Sequence, residues 1–338
     1  MPRIGINPAR GQKLAFTPPR VTVAVLVHAP NEDGYFAHRL AVTRLTLESI
    51  LTNSPKPFEL LVFDNGSCDA MRTWLQGQYR AGNIDTLVES RDNIGKLNAL
   101  WRIANLSQGS LIAYSDDDVY HLPGWLPEHL KVLEAFPNVG AVTGFYIKQR
   151  VGMSSEKTLE WAAAYEAENP GLVQRGQLIE PKWESEYMDN SGRSLERYQS
   201  EIAGLEDVVV ERNGVKAWVS AHHFQVLMPK AVMLEVLGEM LEGGWSEMAM
   251  GRMVEMDDHM DAKGYLRLTT HPQTMRLLGN VIDDEVKALA ARDGIETEAA
   301  MAQGFVPEKE AARESLPKRA ARWLLNRLYP YVHGGGEQ

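Results

Sequence analysis

Apolar residues are distributed along this chain in two alternating rhythms. Val21-Thr22-Val23-Ala24-Val25-Leu26-Val27 is a continuous β-branched run, the pattern of a strand buried on both faces. Leu40, Leu45, Leu47, Ile50 and Leu51 then recur at helical spacing, which predicts a helix over 36–53 that Asn53-Ser54-Pro55 stops. The alternation repeats. Strands are expected at Glu59–Phe63, Asp85–Glu89, Leu111–Tyr114 and Val139–Gly144, with helices over Cys68–Tyr79 and from Asn93 to Asn105. Later come a helix over Glu156–Glu168, a strand-like run Trp218–Leu227, helices Lys230–Leu241 and Glu247–Ala262, and a last strand Tyr265–Thr269. The charge-rich stretch Trp183–Arg197 has no legible period.

Strands alternating with helices predict an α/β fold with a mixed, mainly parallel sheet flanked by helices. Ligands of such sheets sit at the carboxyl ends of the strands. Polar groups fall at those ends: Pro30-Asn31-Glu32 after the first strand, Asp64-Asn65-Gly66-Ser67 after the second, and Ser115-Asp116-Asp117-Asp118 after the fourth. Adjacent carboxylates repel, so a strand end carries such a run where a positive partner sits, or as a solvated acidic turn. Mg²⁺ and Mn²⁺ take oxygen ligands of this kind. If the run stays extended, Asp116 and Asp118 share a face and Asp117 opposes them.

The 338 residues, 44% of them hydrophobic, fit one large or two small globular domains. A net charge of −10 argues against non-specific nucleic-acid binding, which needs a basic field. The single Cys68 fits a reducing compartment, and no apolar run reaches the roughly 20 residues of a membrane span. Met1–Pro19 lacks an apolar segment, so no secretory signal is expected there. A cytoplasmic protein is expected. Lys318–Tyr329 is a short basic amphipathic helix, suited to peripheral contact with the inner face of the membrane, to packing on the core or to a homodimer contact.

The ordered set Pro30-Asn31-Glu32, Phe63-Asp64-Asn65-Gly66-Ser67, Asn93-Ile94-Gly95-Lys96-Leu97-Asn98 and Ser115-Asp116-Asp117-Asp118 resembles the family-2 glycosyltransferases of GT-A fold. The resemblance is close over 21–145 and looser over 215–280. It implies a flexible leader (1–20), a GT-A catalytic domain (21–282) and a helical C-terminal extension (283–338). Within the catalytic domain, 21–145 would be the nucleotide-sugar half and 146–282 the acceptor half.

The resemblance also implies site roles. A UDP- or GDP-linked sugar would lie against Pro30, Asn31, Glu32 and Asp64, with Lys96 and Asn98 at the diphosphate. Asp64 can also cap the following helix. Asp116 and Asp117 would face the donor, and Asp118 and Asp116 would hold Mg²⁺ or Mn²⁺, with His271 as a further candidate ligand. The acceptor would be a glycan, a lipid-linked or a small-molecule hydroxyl. Its base is sought among Glu255, Asp257 and Asp258, with Asp257 favoured, although the family's adjacent acidic pair is here spread out and the interval to Gly264-Tyr265 is short. His222 and His223 lie near the acceptor side, and Trp218 and Trp245 are candidate sugar platforms.

Two other functions fit the same scaffold. A nucleotidyltransferase making a nucleotide sugar usually needs a Gly-rich basic loop after the first strand, and His28-Ala29-Pro30-Asn31-Glu32 lacks that character. A glycan- or nucleotide-binding protein without catalysis would not need the acidic residues near 255–258.

Overall fold

The computed structural model describes residues 5–7, 9–148, 155–242, 244–250 and 253–297. The amphipathic segment Lys318–Tyr329, and with it the expected membrane or dimer contact, lies outside the described residues.

The first half follows the predicted alternation closely. β1 (Val21–Val27) leads through a short 3-10 turn at Gly34–Phe36 into α1 (Arg39–Asn53). Then come β2 (Glu59–Asn65), α2 (Asp69–Arg80), β3 (Thr86–Ser90), α3 (Lys96–Leu106) and β4 (Leu111–Asp116). β5 (Val119–His121), α4 (Trp125–Ala135), β6 (Val139–Thr143) and α5 (Glu156–Glu168) follow.

The segment without a legible period is largely helical. β7 (Val173–Gly176) precedes α6 (Pro181–Ser191) and α7 (Leu195–Glu201). β8 (Asp207–Arg212) and β9 (Val215–Val219) then form an antiparallel hairpin. The strand-like run Trp218–Leu227 comprises the end of β9 and the start of β10 (Gln225–Pro229), separated by a crossing at 220–224. α8 (Lys230–Leu241) has its predicted bounds. The helix predicted from Glu247 begins later, as α9 (Met253–Ala262), because 244–250 runs as an irregular strap. β11 (Leu266–Thr270), β12 (Met275–Leu277) and α10 (Asp284–Arg292) complete the described chain.

Ten strands form one sheet in the order β3-β2-β1-β4-β10-β6-β11-β9-β8-β7, and β12 pairs with β5 apart from it. β3, β2, β1 and β4 are parallel neighbours, and β6 and β11 run the same way. β10 is antiparallel to both β4 and β6. Alternate residues of β1 feed two cores. Val23, Val25 and Val27 pack on one face with Leu60 and Val62, and Ala24 and Leu26 on the other with Leu61 and Phe63. Burial on both faces is why these strands read as unbroken apolar runs.

Register places the functional ends level. Leu26 pairs with Phe63 on one side and with Asp116 on the other, and Val27 pairs with Asp64. Asp64 and Asp116 therefore end neighbouring positions of one sheet edge. Across β4, the Asp116 N–H donates to the Phe224 carbonyl at 2.8 Å, which ties the start of β10 to the same edge.

Candidate active site

The acidic run does not stay extended. β4 ends at Asp116, Asp117 and Asp118 form the turn, and β5 starts at Val119. The simple alternation of faces is therefore replaced by a split. Asp117 turns inward, where Arg39 Nη1 donates to its Oδ1 at 3.2 Å and the Thr43 hydroxyl to its Oδ2 at 3.3 Å. The same Arg39 nitrogen donates to Asp118 Oδ2 at 3.1 Å. Arg39 Nη2 reaches Asn280 Oδ1 at 2.7 Å, and the Leu278 amide donates to the Asp118 carbonyl, so the 277–280 segment closes one side of the turn.

Asp116 takes the other direction. Lys96, the first residue of α3, donates to both its carboxylate oxygens at 2.7 and 2.9 Å, and the buried Tyr114 hydroxyl donates to Oδ1. Burial, reinforced by Asp116, raises the Tyr114 phenol well above its ordinary range and keeps it a donor. The three carboxylates thus meet two cationic side chains, Arg39 and Lys96.

The charge balance is incomplete. Burial first, then Asp117 and Asp116, push the Asp118 carboxyl up to about 7 against the pull of Arg39. Burial also raises Asp117, although Arg39, the His28 amide and Thr43 oppose the shift. Burial works against the charge on Arg39, but Asp117 and Asp118 outweigh it and raise its pKa further. Three carboxylates meet two cationic side chains at this turn, and the oxygen donors of Asp116 and Asp118 are of the kind a hard divalent cation takes. His271 is not brought into that group. Its ring stacks on Trp218 at 5.5 Å, beside a cavity of about 350 Å³ lined by Gln174, Glu180, Trp183, Trp218 and His271. Among the described residues no three His, Cys, Asp or Glu side chains are grouped to hold a metal ion on their own.

At the end of β2, Asp64 is fully buried. Its Oδ1 accepts from the Ser67 amide at 3.0 Å, fixing the Asn65-Gly66-Ser67 turn, while Oδ2 has no hydrogen-bond partner and lies 3.5 Å from Arg72 Nε. Burial raises the Asp64 carboxyl, and the Ser67 bonds partly offset that. Gly66 has φ +79°, and a Cβ there would stand 2.6 Å from the Asn93 nitrogen, so the close crossing of this turn over 92–93 requires glycine. Asn65 uses the contact: it donates to Asn93 Oδ1 at 3.0 Å and accepts from the Ile94 amide at 2.9 Å. His28 at the end of β1 completes the cluster, with Nδ1 2.8 Å from the Asn65 carbonyl. Pro30, Asn31 and Glu32 lie exposed on the loop that follows.

Asn98 has a different task from the one expected. Its amide donates to the carbonyls of Ile94 and Ser246 and accepts from the Ser246 amide, and the Lys96 amide donates to Ala249. These bonds strap 244–250 over the start of α3. Gly95, with φ +82°, leaves room for the Met248 carbonyl, which a Cβ would meet at 2.7 Å.

On the far side of β10, Asp257 is buried on α9. Its Oδ1 lies 2.9 Å from Arg267 Nη2 and its Oδ2 3.1 Å from His223 Nδ1. Arg267 is fully buried and also donates to the Ala221 carbonyl. Asp258 is exposed and Glu255 half-buried, so only Asp257 of the three candidates points into the fold. His222 lies against Tyr187 and Phe224, and burial, then His223, lowers its pKa to about 3. Trp218, 4% exposed, stacks on Tyr146 and His271 and packs the interior, while Trp245 is 59% exposed with Arg102 over its ring.

Arg39, Asn280, Arg267 and the His223–Asp257 pair were not singled out as partners in the sequence. Three consecutive carboxylates signal that a cation is needed but not which one, since Arg39 lies 78 positions from Asp117. The β8–β9 hairpin did carry a signal: Asn213-Gly214 between β-branched runs, with φ +53° and +76°, is a type I′ turn pattern.

No helix of the described residues is long and apolar enough to cross a membrane. No curated protein matches the chain. Among solved structures, TarS 1-349 of S. aureus is 11% identical, covers 84% of this chain and 68% of its own, and has a TM-score of 0.42. A second structure of that protein, in complex with UDP, gives 11%, 84%, 68% and 0.41. The mannosyltransferase PcManGT of Pyrobaculum calidifontis, in complex with GDP-Man and Mn2+, is 18% identical, covers 95% and 77%, and has a TM-score of 0.41. Residues 35–195, from the turn before α1 to the start of α7, match the model described as Glycosyl transferase family 2.

Proposed function

We propose that the chain moves a glycosyl group from a UDP- or GDP-linked sugar to a hydroxyl acceptor, with inversion and with help from Mg²⁺ or Mn²⁺. The observation that carries this reading is the level placement of Asp64 and Asp116 on one sheet edge, with the start of β10 bonded to Asp116 on the opposite side. A donor fits along that edge. Asp64, whose Oδ1 is committed to Ser67, offers Oδ2 to nucleobase N–H groups. Pro30, Asn31 and Glu32 flank the nucleoside, and Lys96 stands beside Asp116 where a diphosphate would lie.

Asp116 and Asp118 are the proposed metal donors. When bound, the cation supplies positive charge opposite the leaving diphosphate. Arg39 holds Asp117 and Asp118 in place. In a direct displacement, the acceptor oxygen forms its bond to the anomeric carbon from the face opposite the diphosphate, which inverts the centre. The acceptor hydroxyl must also lose its proton, so a base is required near the start of β10. Acceptors in the proposal are a glycan, a lipid-linked or a small-molecule hydroxyl, and the setting is a reducing, cytoplasmic one, read from the single Cys68.

A screen of UDP-hexoses and GDP-mannose, with Mn²⁺ or EDTA, tests the reading by melting temperature and by released UDP or GDP. A ligand that binds only the folded state raises its melting temperature. The proposal expects a Mn²⁺-dependent rise and nucleotide release with at least one donor; no shift and no release with any of them contradicts it.

A further inference from the structure

We propose that His223, oriented by Asp257, is the group that takes the proton from the acceptor hydroxyl. The inference rests on the glycosyl-transfer reading above and names its base. Among the acidic candidates of α9, Asp257 alone faces inward, yet both its oxygens are committed. Oδ1 meets the fully buried Arg267 at 2.9 Å and Oδ2 meets His223 Nδ1 at 3.1 Å. Its side chain is 7% exposed, against 28% for His223. For Asp257 to touch an acceptor it would have to give up its ion pair with the buried Arg267, which is costly. The imidazole is the part of the pair that an acceptor can reach.

The hydrogen bond fixes the chemistry of that ring. A carboxylate beside an arginine accepts and does not donate, so Nδ1 of His223 carries the proton and Nε2 carries the lone pair. This is the arrangement in which an aspartate orients a histidine base and stabilises the imidazolium that forms. Position supports it too. Phe224, the next residue, accepts through its carbonyl from the Asp116 amide at 2.8 Å, so His223 directly precedes the residue bonded to the end of β4. Around the ring, charge comes from Asp257 on α9 and Arg267 on β11. His222 is the titratable neighbour on its own segment, and Arg193, in the turn after α6, acts on His222.

The step balances without a further reagent. The acceptor O–H proton passes to Nε2, and the acceptor oxygen bonds to the anomeric carbon. The bond from that carbon to the diphosphate oxygen breaks, and its electron pair leaves with the nucleoside diphosphate. The imidazolium then returns its proton to solvent.

The test uses the full chain, Mn²⁺ and the UDP-hexose or GDP-mannose that the wild type turns over. His223→Ala is expected to lower kcat by about 10²-fold or more. UDP or GDP binding in Mn²⁺ should stay within about twofold of wild type, and added imidazole should restore part of the turnover. His223→Gln, which keeps a polar side chain, should lose the acid limb of the wild-type pH profile of kcat/KM. A His223→Ala enzyme that keeps wild-type kcat overturns the proposal. So does a loss that imidazole does not restore while His223→Gln keeps the wild-type acid limb, since the base is then another group. A wild type that binds and turns over none of these donors defeats the glycosyl-transfer reading itself, and the proton role with it.

Discussion

Asp116 and Phe224 share a backbone hydrogen bond of 2.8 Å, and through it the acidic turn after β4 and the histidine pair before β10 occupy one edge of the sheet. The bond extends the β4–β10 pairing, where Gln225 stands opposite Ser115. Because β10 is antiparallel to β4, its beginning rather than its end lies beside the carboxyl end of β4. A single strand reversal thus delivers residues from position 223 to a site built mostly before position 119.

Asp257 is a structural counter-charge as well as a member of the site. Asp257→Asn replaces the carboxylate that faces the buried Arg267 with a neutral amide, and breaking such a pair costs about 3–5 kcal/mol. Urea denaturation should show that loss, whereas Asp258→Asn on the exposed face should stay within about 0.5 kcal/mol of wild type. Equal stabilities would mean that the Arg267 pair contributes nothing to the fold. The same reasoning explains why an inactive Asp257 variant cannot by itself identify the base.

Asn98 should matter to the strap at 244–250 more than to the helix that carries it. Its side chain makes bonds to Ile94 and Ser246, and Asn98→Ala removes these half-buried bonds at a cost of about 1 kcal/mol. Hydrogen exchange should accelerate at the Ser246 amide, which now donates to Asn98, and at the Lys96 amide, which donates to Ala249. Unchanged protection at both amides would show that the strap is held by other contacts.

Acid should destabilise the fold through two buried histidines. Burial, reinforced by His129, lowers His121 to about 3, and burial lowers His129 to about 4 against its bonds to Trp125 and Gln225. Their folded values lie below the ordinary 6.5, so the unfolded chain takes up protons first. The stability that neutral imidazoles contribute is complete above about pH 6.5 and drains away as pH falls toward 4 and 3. Asp118, raised to about 7, has the opposite sign and partly masks the trend, so the difference between variants is the informative quantity. Melting curves from pH 7.5 to 4.5 should fall less steeply for His121→Gln than for wild type; parallel curves would remove His121 from the acid response.

Much of the fold was legible because its strands are buried on both faces and its helices on one. Val21–Val27 reads as a strand for that reason, and Glu156–Glu168 and Lys230–Leu241 have the bounds their periodicity gives. The Trp218–Leu227 run misled because the chain stays apolar while it leaves β9, crosses at 220–224 and enters β10, so hydrophobicity does not mark the break. Trp183–Arg197 hid two short helices among charges because α6 and α7 bury little, with Glu184, Tyr187 and Met188 as the buried positions of α6. At the site, Asp64 and the acidic turn were legible as strand ends, a local property. Arg39, Asn280 and Arg267 were not, since each earns its place through a partner far away in sequence. Asn98 and His271 were read from motif position, and their packing against Ser246 and Trp218 is tertiary information.

In the proposed reaction the turn at Asp116–Asp118 binds a nucleoside diphosphate together with a divalent metal. Titration calorimetry of UDP and GDP into wild type and Asp118→Asn, each in Mn²⁺ and in EDTA, tests it most directly. Wild type should bind at least one of the two about tenfold tighter or more in Mn²⁺ than in EDTA, a difference of about 1.4 kcal/mol, and Asp118→Asn should erase that difference. The same Mn²⁺ enhancement in both proteins, or none in wild type, would rule out metal-assisted diphosphate binding at this turn.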